Sequence, residues 1–494
     1  MGIIIKQSFK GTIWSYLGLL VGYINLGIIM PRFFMTEQVG LVQLIAAITT
    51  IFTNFSTLGF SSVINRLFPE FRDPRKNHHG FFPLMLFTGL LGFVLSMAAF
   101  FVFKPHIVES NIERSPLLVE YIMLLVPLFL FRIFFQLLDT YNRVLHDAIT
   151  GTFWNDFIHK VINLALIILF ALDVINFRQF MYGYVVSICL PTIPIVIVLL
   201  KRGEITLKPD FSFLKRPLAK EIILVSAFGL INGLSGALTT NIDKLFINQY
   251  LSLEEVGIFS VCTLFASVIM IPSRSIVKIS TGIIAKAWKN NDKTQIQEIY
   301  SKASLNQTII GAFIFAGILV NIDNIFSVLP DEYQQGAWVL IIYSFGTLVR
   351  VSATTGGTII VTSKYYKVLT YIIGAQIFLT AGLHMLLIPV WGINGAATAV
   401  MLTYIFAIAA IVGYLKLKAG FFCYSLKHVW IILISALAIS ISFIIPESGS
   451  IIVNILIKSA TVSLIFGALI FGFKISDEMS ELVTKLVNDI IKRR

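Results

Sequence analysis

Charge is what this sequence has least of for its length. Asp, Glu, Lys and Arg make up 13% of its 494 residues, while 57% are hydrophobic. Soluble domains carry about 25% charged and about 45–50% apolar residues. No water-soluble domain could cover so much apolar surface, so the solvent is partly lipid. Cysteine is nearly missing too. Cys189, Cys262 and Cys423 stand far apart, and no pair has metal-ligand or redox spacing. That excludes a disulfide framework or a zinc cluster and leaves them as small apolar fillers. The seven histidines form no HExxH-type cluster. His78 and His79 sit in a basic loop and read as solvated. Neither a metal nor a cofactor is expected.

The N-terminal region lacks two further signals. No A-x-A-like cleavage site follows the first apolar run, which reads as a retained first span. Lys6 stands where a myristoylation pattern needs Ser or Thr. Acidic residues are also few, 26 against 38 Lys and Arg, for a formal charge of +12. In a soluble protein that excess would suggest nucleic acid. In a membrane protein it fits basic loops on the cytoplasmic side, with no nucleic-acid partner.

What is present is a series of long apolar runs. They lie near 12–30, 40–64, 82–103, 121–141, 153–172, 181–200, 222–242, 257–277, 305–326, 338–360, 368–388, 396–415, 429–445 and 451–473. Each approaches the ~20 residues a helix needs to cross a bilayer core. The runs are continuously apolar rather than alternating, which favours helices over a barrel. The fold expected is an all-α polytopic membrane protein with about fourteen transmembrane helices.

Orientation follows from the basic residues. With the N-terminus in the cytoplasm, inward segments collect most of them, including Arg72, Arg75, Lys76 and the loop KRGEITLKPDFSFLKRPLAK. Outward segments hold only Arg32, Lys104, Arg114, Arg178 and Lys244. An even number of spans puts both termini in the cytoplasm.

One phrase occurs twice. TEQVGLVQL at 36–44 returns as LEEVGIFSV at 253–261, each opening an inbound span. The chain therefore reads as two pseudo-symmetric six-helix lobes, 1–203 and 219–427, joined by a basic linker at 204–218. Two further spans fill 428–474, and an amphipathic basic tail follows at 475–494. Six spans per lobe make the repeat parallel, the plan of transporters that rock one half against the other.

Gly18 and Gly22 in the first span, and Gly229 and Gly233 in the seventh, allow close helix approach. Pro127, Pro191, Pro194, Pro272 and Pro389 fall within or near spans, where each frees a carbonyl and can kink its helix. The stretch 283–302 reads as an amphipathic segment on the inner surface. The tail has an apolar stripe and a basic end suited to anionic lipid.

Three places in order carry a resemblance. GFSSVINRLFPEF at 59–71 is similar to a small-residue run followed by an arginine and an acid. NIDKLFINQYLSLEEVGIFSV at 241–261 is similar to an Asp-Lys/Arg, apolar, Val-Gly pattern. WGINGAATA at 391–399 is similar to a Gly-x-x-Gly-Ala-Ala turn. The chain resembles the bacterial polysaccharide flippases of the Wzx type. Their superfamily also holds the multidrug extruders and the lipid II flippase. The resemblance covers essentially the whole chain and rests on fold markers, none of them catalytic. It implies a transporter rather than an enzyme. The implied substrate is an undecaprenyl-diphosphate-linked oligosaccharide, moved from the inner to the outer leaflet of the cytoplasmic membrane for O-antigen or capsule-type polysaccharide. Glycosyltransferases and a polymerase are the partners it implies, beside membrane lipids.

Such a substrate needs cations for its pyrophosphate and polar groups for its sugars. A cation at the bilayer centre costs ~2.5–3.5 kcal/mol on insertion scales, so intramembrane cations are the first residues to inspect. Arg66 and Arg274, near the cytoplasmic ends of the second and eighth spans, rank first. The related flippases place arginines on the first, second and eighth helices. Arg132 and Arg350 lie near span centres, where each either faces a cavity or pairs with a carboxylate such as Asp139, Asp156 or Asp323. Lys458 lies about a third of the way in, while Arg32 and Lys244 sit at outer ends. Lys160 has Asp156 four residues before it, a local i,i+4 pair. Asn25, Asn54, Asn232, Asn241, Gln376 and Thr354-Thr355 are candidates for the glycan, with Trp14, Tyr16, Tyr23 and Tyr343 able to stack on sugar rings. Asp139, Asp156 and Asp243 are candidates for ion coupling.

Two readings compete within the superfamily. A multidrug extruder would carry an intramembrane carboxylate and export organic cations. A lipid II flippase would share the fold and the charge logic. A polysaccharide polymerase or ligase would need long outer loops, and the longest outward connection here is about 103–120.

Overall fold

The computed structural model describes residues 2–210, 212–446 and 448–476, and these form helices and the short loops between them. Among the described residues, twelve helices are long and apolar enough to cross a membrane, or thirteen when a pair bent by 43° is counted as one span. That bent pair is Asp331–Ser352 with Thr354–Val361. Counting by length alone also joins the runs expected at 368–388 and 396–415, which share the 54-residue element Tyr366–Ala419. Two helices meet within it at Gly392, whose φ of +57° and ψ of −137° are not helical. Glycine takes such a conformation without the clash a Cβ would bring.

Prolines mark several of the interruptions. Pro191 sits in the turn between helices Phe177–Cys189 and Thr192–Lys201. Pro272 follows a 3-10 turn at Val268–Met270 in the first turn of the next helix. Pro389 lies three residues before the break at Gly392. A ring at these places removes a backbone donor from the helical ladder.

The chain divides into two compact units, one through Ser260 and one from Val261. In the first, the helix Arg216–Tyr250 packs along both Thr36–Ser56 and Phe60–Phe71. The glycines singled out in the sequence make the approach possible. A Cβ on Gly229 would stand 2.6 Å from the Gly59 carbonyl oxygen, and one on Gly233 would stand 3.2 Å from Asn54 Oδ1. Gly59 itself has φ +71° and would clash with the Ser226 carbonyl at 2.0 Å.

Two readings of loops need correction. His78 and His79 are not simply solvated. His78 is 5% exposed, and its Nε2 lies 2.9 Å from Glu204 Oε2. His79 Nδ1 lies 3.6 Å from Asp210 Oδ2, and its ring stacks on Phe213 at 4.0 Å. Asn77, His78, His79 and Gly80 all have positive φ, a tight left-handed turn that aims both rings at the linker. The stretch 283–302 is not one surface helix either. A membrane helix runs on to Lys289 and the next begins at Lys293. Asn291 breaks them at φ +54°, and Asp292 accepts from Gln295 N at 2.9 Å to cap the second. The amphipathic tail lies outside the described residues, apart from its first two. Cys189, Cys262 and Cys423 are free and buried, as fillers should be.

A buried knot holds the turn after Val144. Asp147 accepts from Ile149 N, Thr150 N and Thr150 Oγ1 at 3.1, 3.1 and 2.8 Å. Arg202 Nη2 approaches it at 3.1 Å. Burial pushes the Asp147 carboxyl up, but the Thr150 bonds, the Arg202 charge and Asn142 outweigh it and hold the group below its usual range.

Candidate functional site

The first unit contains a polar network built on irregular helix. Two stretches wind as π-helix, Asn25–Ile29 in the first span and Thr152–Ile158 in the fifth. Such wide turns are uncommon and frequent at functional sites. The fifth-span stretch lies against the helix Gly2–Ile24 of the first span, because that helix presents glycine, and Asn25–Ile29 meets the helix His159–Ala171 that follows. A Cβ on Gly18 would stand 1.8 Å from the Asp156 carbonyl oxygen, and one on Gly22 would stand 3.4 Å from Lys160 Nζ. Asn25 Nδ2 donates to the Lys160 carbonyl at 2.9 Å.

Asn155 and Asp156 sit at the centre of this packing. Ser15 Oγ donates to Asp156 Oδ2 at 3.0 Å, and Asn155 Nδ2 donates to Asp156 Oδ1 at 2.9 Å. Arg132 Nη1 donates to Asn155 Oδ1 at 2.7 Å. A neutral amide thus stands between the arginine and the carboxylate. Among the described residues, no carboxylate lies within 4.0 Å of the Arg132 guanidinium, which instead lies 5.2 Å from the Phe135 ring centre. A second branch runs through His159. Its Nδ1 meets the Asn155 carbonyl at 3.2 Å, and its Nε2 meets Asn163 Nδ2 at 3.0 Å. Ser187 Oγ donates to Asn163 Oδ1 at 2.7 Å. These bonds fit the tautomer protonated at Nδ1, an assignment made from the partners. The network ties together the first, fourth, fifth and sixth spans.

The expected Lys160–Asp156 ion pair does not form among the described contacts. Asp156 belongs to the π stretch and Lys160 to the α-helix that follows, so the pair straddles a change of winding. Asp139 is taken as well, by Arg143 Nη2 at 2.6 Å. Sequence spacing could not locate the π stretches. The signal available was the Gly18–Gly22 pair, which marks where a backbone must come near.

The other cations of this unit lie elsewhere. Arg66 is exposed and 3.5 Å from Glu221. Lys244 Nζ donates to Gln43 Oε1 at 3.1 Å, beside buried Asp243. Arg32 is exposed at the end of its helix. Asn54 and Asn241 turn their amides back to the Thr50 and Ala237 carbonyls, and Asn232 is exposed. Trp14 packs on Phe153 and Phe157.

The repeated phrase makes a contact of its own. A Cβ on Gly40 would stand 1.8 Å from the Leu253 carbonyl oxygen, and one on Gly257 would stand 2.2 Å from that of Thr36. Thr36 and Gly40 correspond to Leu253 and Gly257 in the repeat. The two copies lie face to face, each glycine under the other's first carbonyl.

In the second unit, Arg350 lies three residues before the 43° break at Ala353. Its guanidinium stands 4.6 Å from the Tyr404 ring centre. The Tyr404 and Tyr343 hydroxyls are 3.5 Å apart. Thr354 Oγ1 donates to the Arg350 carbonyl at 2.7 Å across the break. No carboxylate lies within ion-pair distance of Arg350 among the described residues. Broken helices of this kind are where transporters bind their cargo. Gln376 is buried beside the Thr380–Thr403 hydroxyl pair, 3.2 Å apart. Lys458 is 4% exposed in the last described helix. Arg274 and Asp323 are exposed.

A family model described as a polysaccharide biosynthesis protein matches residues 8–284. The capsular polysaccharide biosynthesis protein CapF of Staphylococcus aureus is 25% identical over 194 residues, which cover 38% of this chain and 48% of that protein. The match thus spans about half of that relative's length. Among solved structures, the lipid II flippase MurJ in an inward closed conformation superposes with a TM-score of 0.75 at 13% identity, covering 96% of this chain and 100% of that one. An inward-facing multidrug resistance MATE transporter of the MOP superfamily gives 0.67 at 14% identity, covering 83% and 98%. At such identities the likeness is one of fold. The chain, with its many membrane-length apolar helices, has the fold of these two proteins and belongs to the polysaccharide biosynthesis protein family.

Proposed function

We propose that this chain carries an undecaprenyl-diphosphate-linked oligosaccharide from the inner to the outer leaflet of the bacterial cytoplasmic membrane by alternating access. Two six-helix lobes, 1–203 and 219–427, move about the linker at 204–218, with both termini in the cytoplasm. The observation that carries the reading is the pairing of Arg132. A guanidinium deep in a span is held by an amide and an aromatic ring, with no carboxylate of the described residues within ion-pair distance. Its positive charge stays available to an anion, and a diphosphate takes charge-assisted bonds from it. Arg350 over Tyr404 offers the same chemistry in the second unit. Arg66, Arg274, Arg32, Lys244 and Lys458 serve the diphosphate on its way in or out. Asn25, Asn54, Asn232, Asn241 and Gln376 meet the sugars.

Asp156 is the coupling carboxylate in this reading, ahead of Asp139, which Arg143 neutralises, and Asp243. It is tied to Arg132 through one amide, so an anion at the arginine and a proton or cation at the aspartate influence each other. Glycosyltransferases and a polymerase supply and consume the cargo.

The test is flipping in proteoliposomes with a fluorescent prenyl-diphosphate oligosaccharide, comparing wild type with Arg132→Gln and Arg350→Gln. Transport by wild type and its loss in folded variants supports the reading. Export of a cationic dye with no flipping by wild type overturns it in favour of a multidrug extruder. Equal transport by wild type and Arg132→Gln removes the arginine from the phosphate role.

A further inference from the structure

Two cavities meet where the basic linker folds against the start of the third span. One has a volume of about 530 Å³ and is lined by Lys76, His79, Asp210, Ser212 and Lys215 among others. The second, of about 300 Å³, is lined almost wholly by apolar groups, with Pro83, Leu84, Phe87, Pro209 and Leu214 on its walls. They share Asp210, and their other residues are chain neighbours: His79 beside Gly80, Phe213 beside Leu214. A polar, basic pocket therefore adjoins an apolar groove.

The acid in this site is already occupied. Asp210 accepts from Ser212 Oγ at 2.5 Å and Ser212 N at 3.2 Å, and faces His79 at 3.6 Å. Ser212 first, then His79, hold its carboxyl below the usual range. Lys76 and Lys215 form no salt bridge among the described residues and are exposed. The pocket offers two lysines to an anion. The groove beside it exposes Phe87, 65% accessible, on a helix that enters the membrane.

We propose that this pair of cavities binds an anionic phospholipid of the bilayer, its phosphate headgroup between Lys76 and Lys215 and one acyl chain along Leu84, Phe87 and Leu214. The charge pattern selects the head. The apolar groove at the mouth of a span selects a ligand with a chain, so free phosphate does not suffice. His79 and Phe213, stacked at 4.0 Å, form the wall between head and chain. Because His79 and His78 also hold the linker through Asp210 and Glu204, the bound lipid fastens the linker to the membrane surface. The site is separate from the intramembrane arginines and does not depend on which cargo they carry.

The test is native mass spectrometry of the full-length protein released from detergent. The probes are phosphatidylglycerol, phosphatidylcholine with the same chains, glycerol phosphate, and a prenyl diphosphate competitor. Phosphatidylglycerol is expected to stay bound while phosphatidylcholine is lost, with glycerol phosphate unable to compete. Near an anionic headgroup each lysine contributes about fivefold, so Lys76→Gln/Lys215→Gln weakens retention about thirtyfold. Both lysines are exposed, and the variant keeps its fold. Leu84→Trp, which fills the groove, gives a loss of the same direction. Retention unchanged in the double lysine variant overturns the site. Competition by glycerol phosphate overturns the lipid assignment, and displacement by prenyl diphosphate at equal concentration overturns the bilayer source.

Discussion

Alanine at Gly40 would perturb a contact between two backbones. Its Cβ would stand 1.8 Å from a backbone carbonyl, where contacts under 3.0 Å are essentially never found. The helix Thr36–Ser56 and the chain at Leu253 must then part by about 1.2 Å. Backbone on both sides leaves no flexible side chain to absorb the change. Overpacking of this kind costs ~1–3 kcal/mol, and the close approach that is lost forfeits about 0.5–1 kcal/mol of Cα–H···O contact. Gly40→Ala is therefore expected to lose about 2–3 kcal/mol. Gly257→Ala, at 2.2 Å, loses nearly as much. The distinguishing quantity is the double variant. Once one alanine has opened the gap, the second finds room, so the double costs little more than the larger single. The coupling energy should reach about 1–2 kcal/mol, well outside the additivity of independent sites. Unfolding of the purified protein in detergent, followed by tryptophan fluorescence over a denaturant series, measures all four corners of the cycle. Single variants as stable as wild type, or a double equal to the sum of the singles, would refute the idea that the two glycines serve one contact.

Gly18→Ala, 1.8 Å from the Asp156 carbonyl, should lower the melting temperature of the detergent-solubilised protein, whereas Gly282→Ala, with nothing within 4 Å, should hold it or raise stability by up to about 1 kcal/mol. Asp147 gives a pH dependence. Its folded pKa lies below the unfolded value of about 3.9, so its stabilisation is full above that pH and fades as pH falls through the folded value. Asp147→Asn should cost roughly 1–3 kcal/mol at neutral pH and flatten the loss of stability between about pH 5 and pH 2 in a thermal-shift titration. At Arg350, Tyr404→Phe keeps the ring and should transport like wild type, whereas Tyr404→Leu removes a cation–π contact of up to about 2 kcal/mol and should slow flipping in proteoliposomes. Equal rates for the two would show that the ring is not what holds the guanidinium.

Sequence reading reached the helical class, the presence of many membrane-length helices and the places of close packing because each has a one-dimensional signature, while the fourteen spans expected stand against twelve or thirteen found among the described residues. Apolar runs near bilayer length mark the spans. Gly18, Gly22, Gly229 and Gly233 meet neighbouring helices because a missing Cβ has one main use inside a membrane helix. The partners of the polar residues were not legible. Whether Asp156 faces Lys160 depends on the winding between them, and no residue type announces a π turn. His78 and His79 looked like solvent-facing loop residues because the linker that covers them lies more than a hundred positions away. Arg132 and Arg350 could be picked out as costly charges, but only the structure gives their neutral neighbours.

The face-to-face glycines also bear on how long a repeat stays readable. A contact in which Gly40 lies under the carbonyl at 253 while Gly257 lies under the carbonyl at 36 is an isologous interface, of the kind two identical subunits make across a two-fold axis. Here both halves of that interface belong to one chain. Elsewhere in the sequence, two related positions are free to drift apart, since each answers to different neighbours. At this spot each copy is the other's neighbour, and a side chain added to either one injures both. The phrase is held in duplicate by its own reflection.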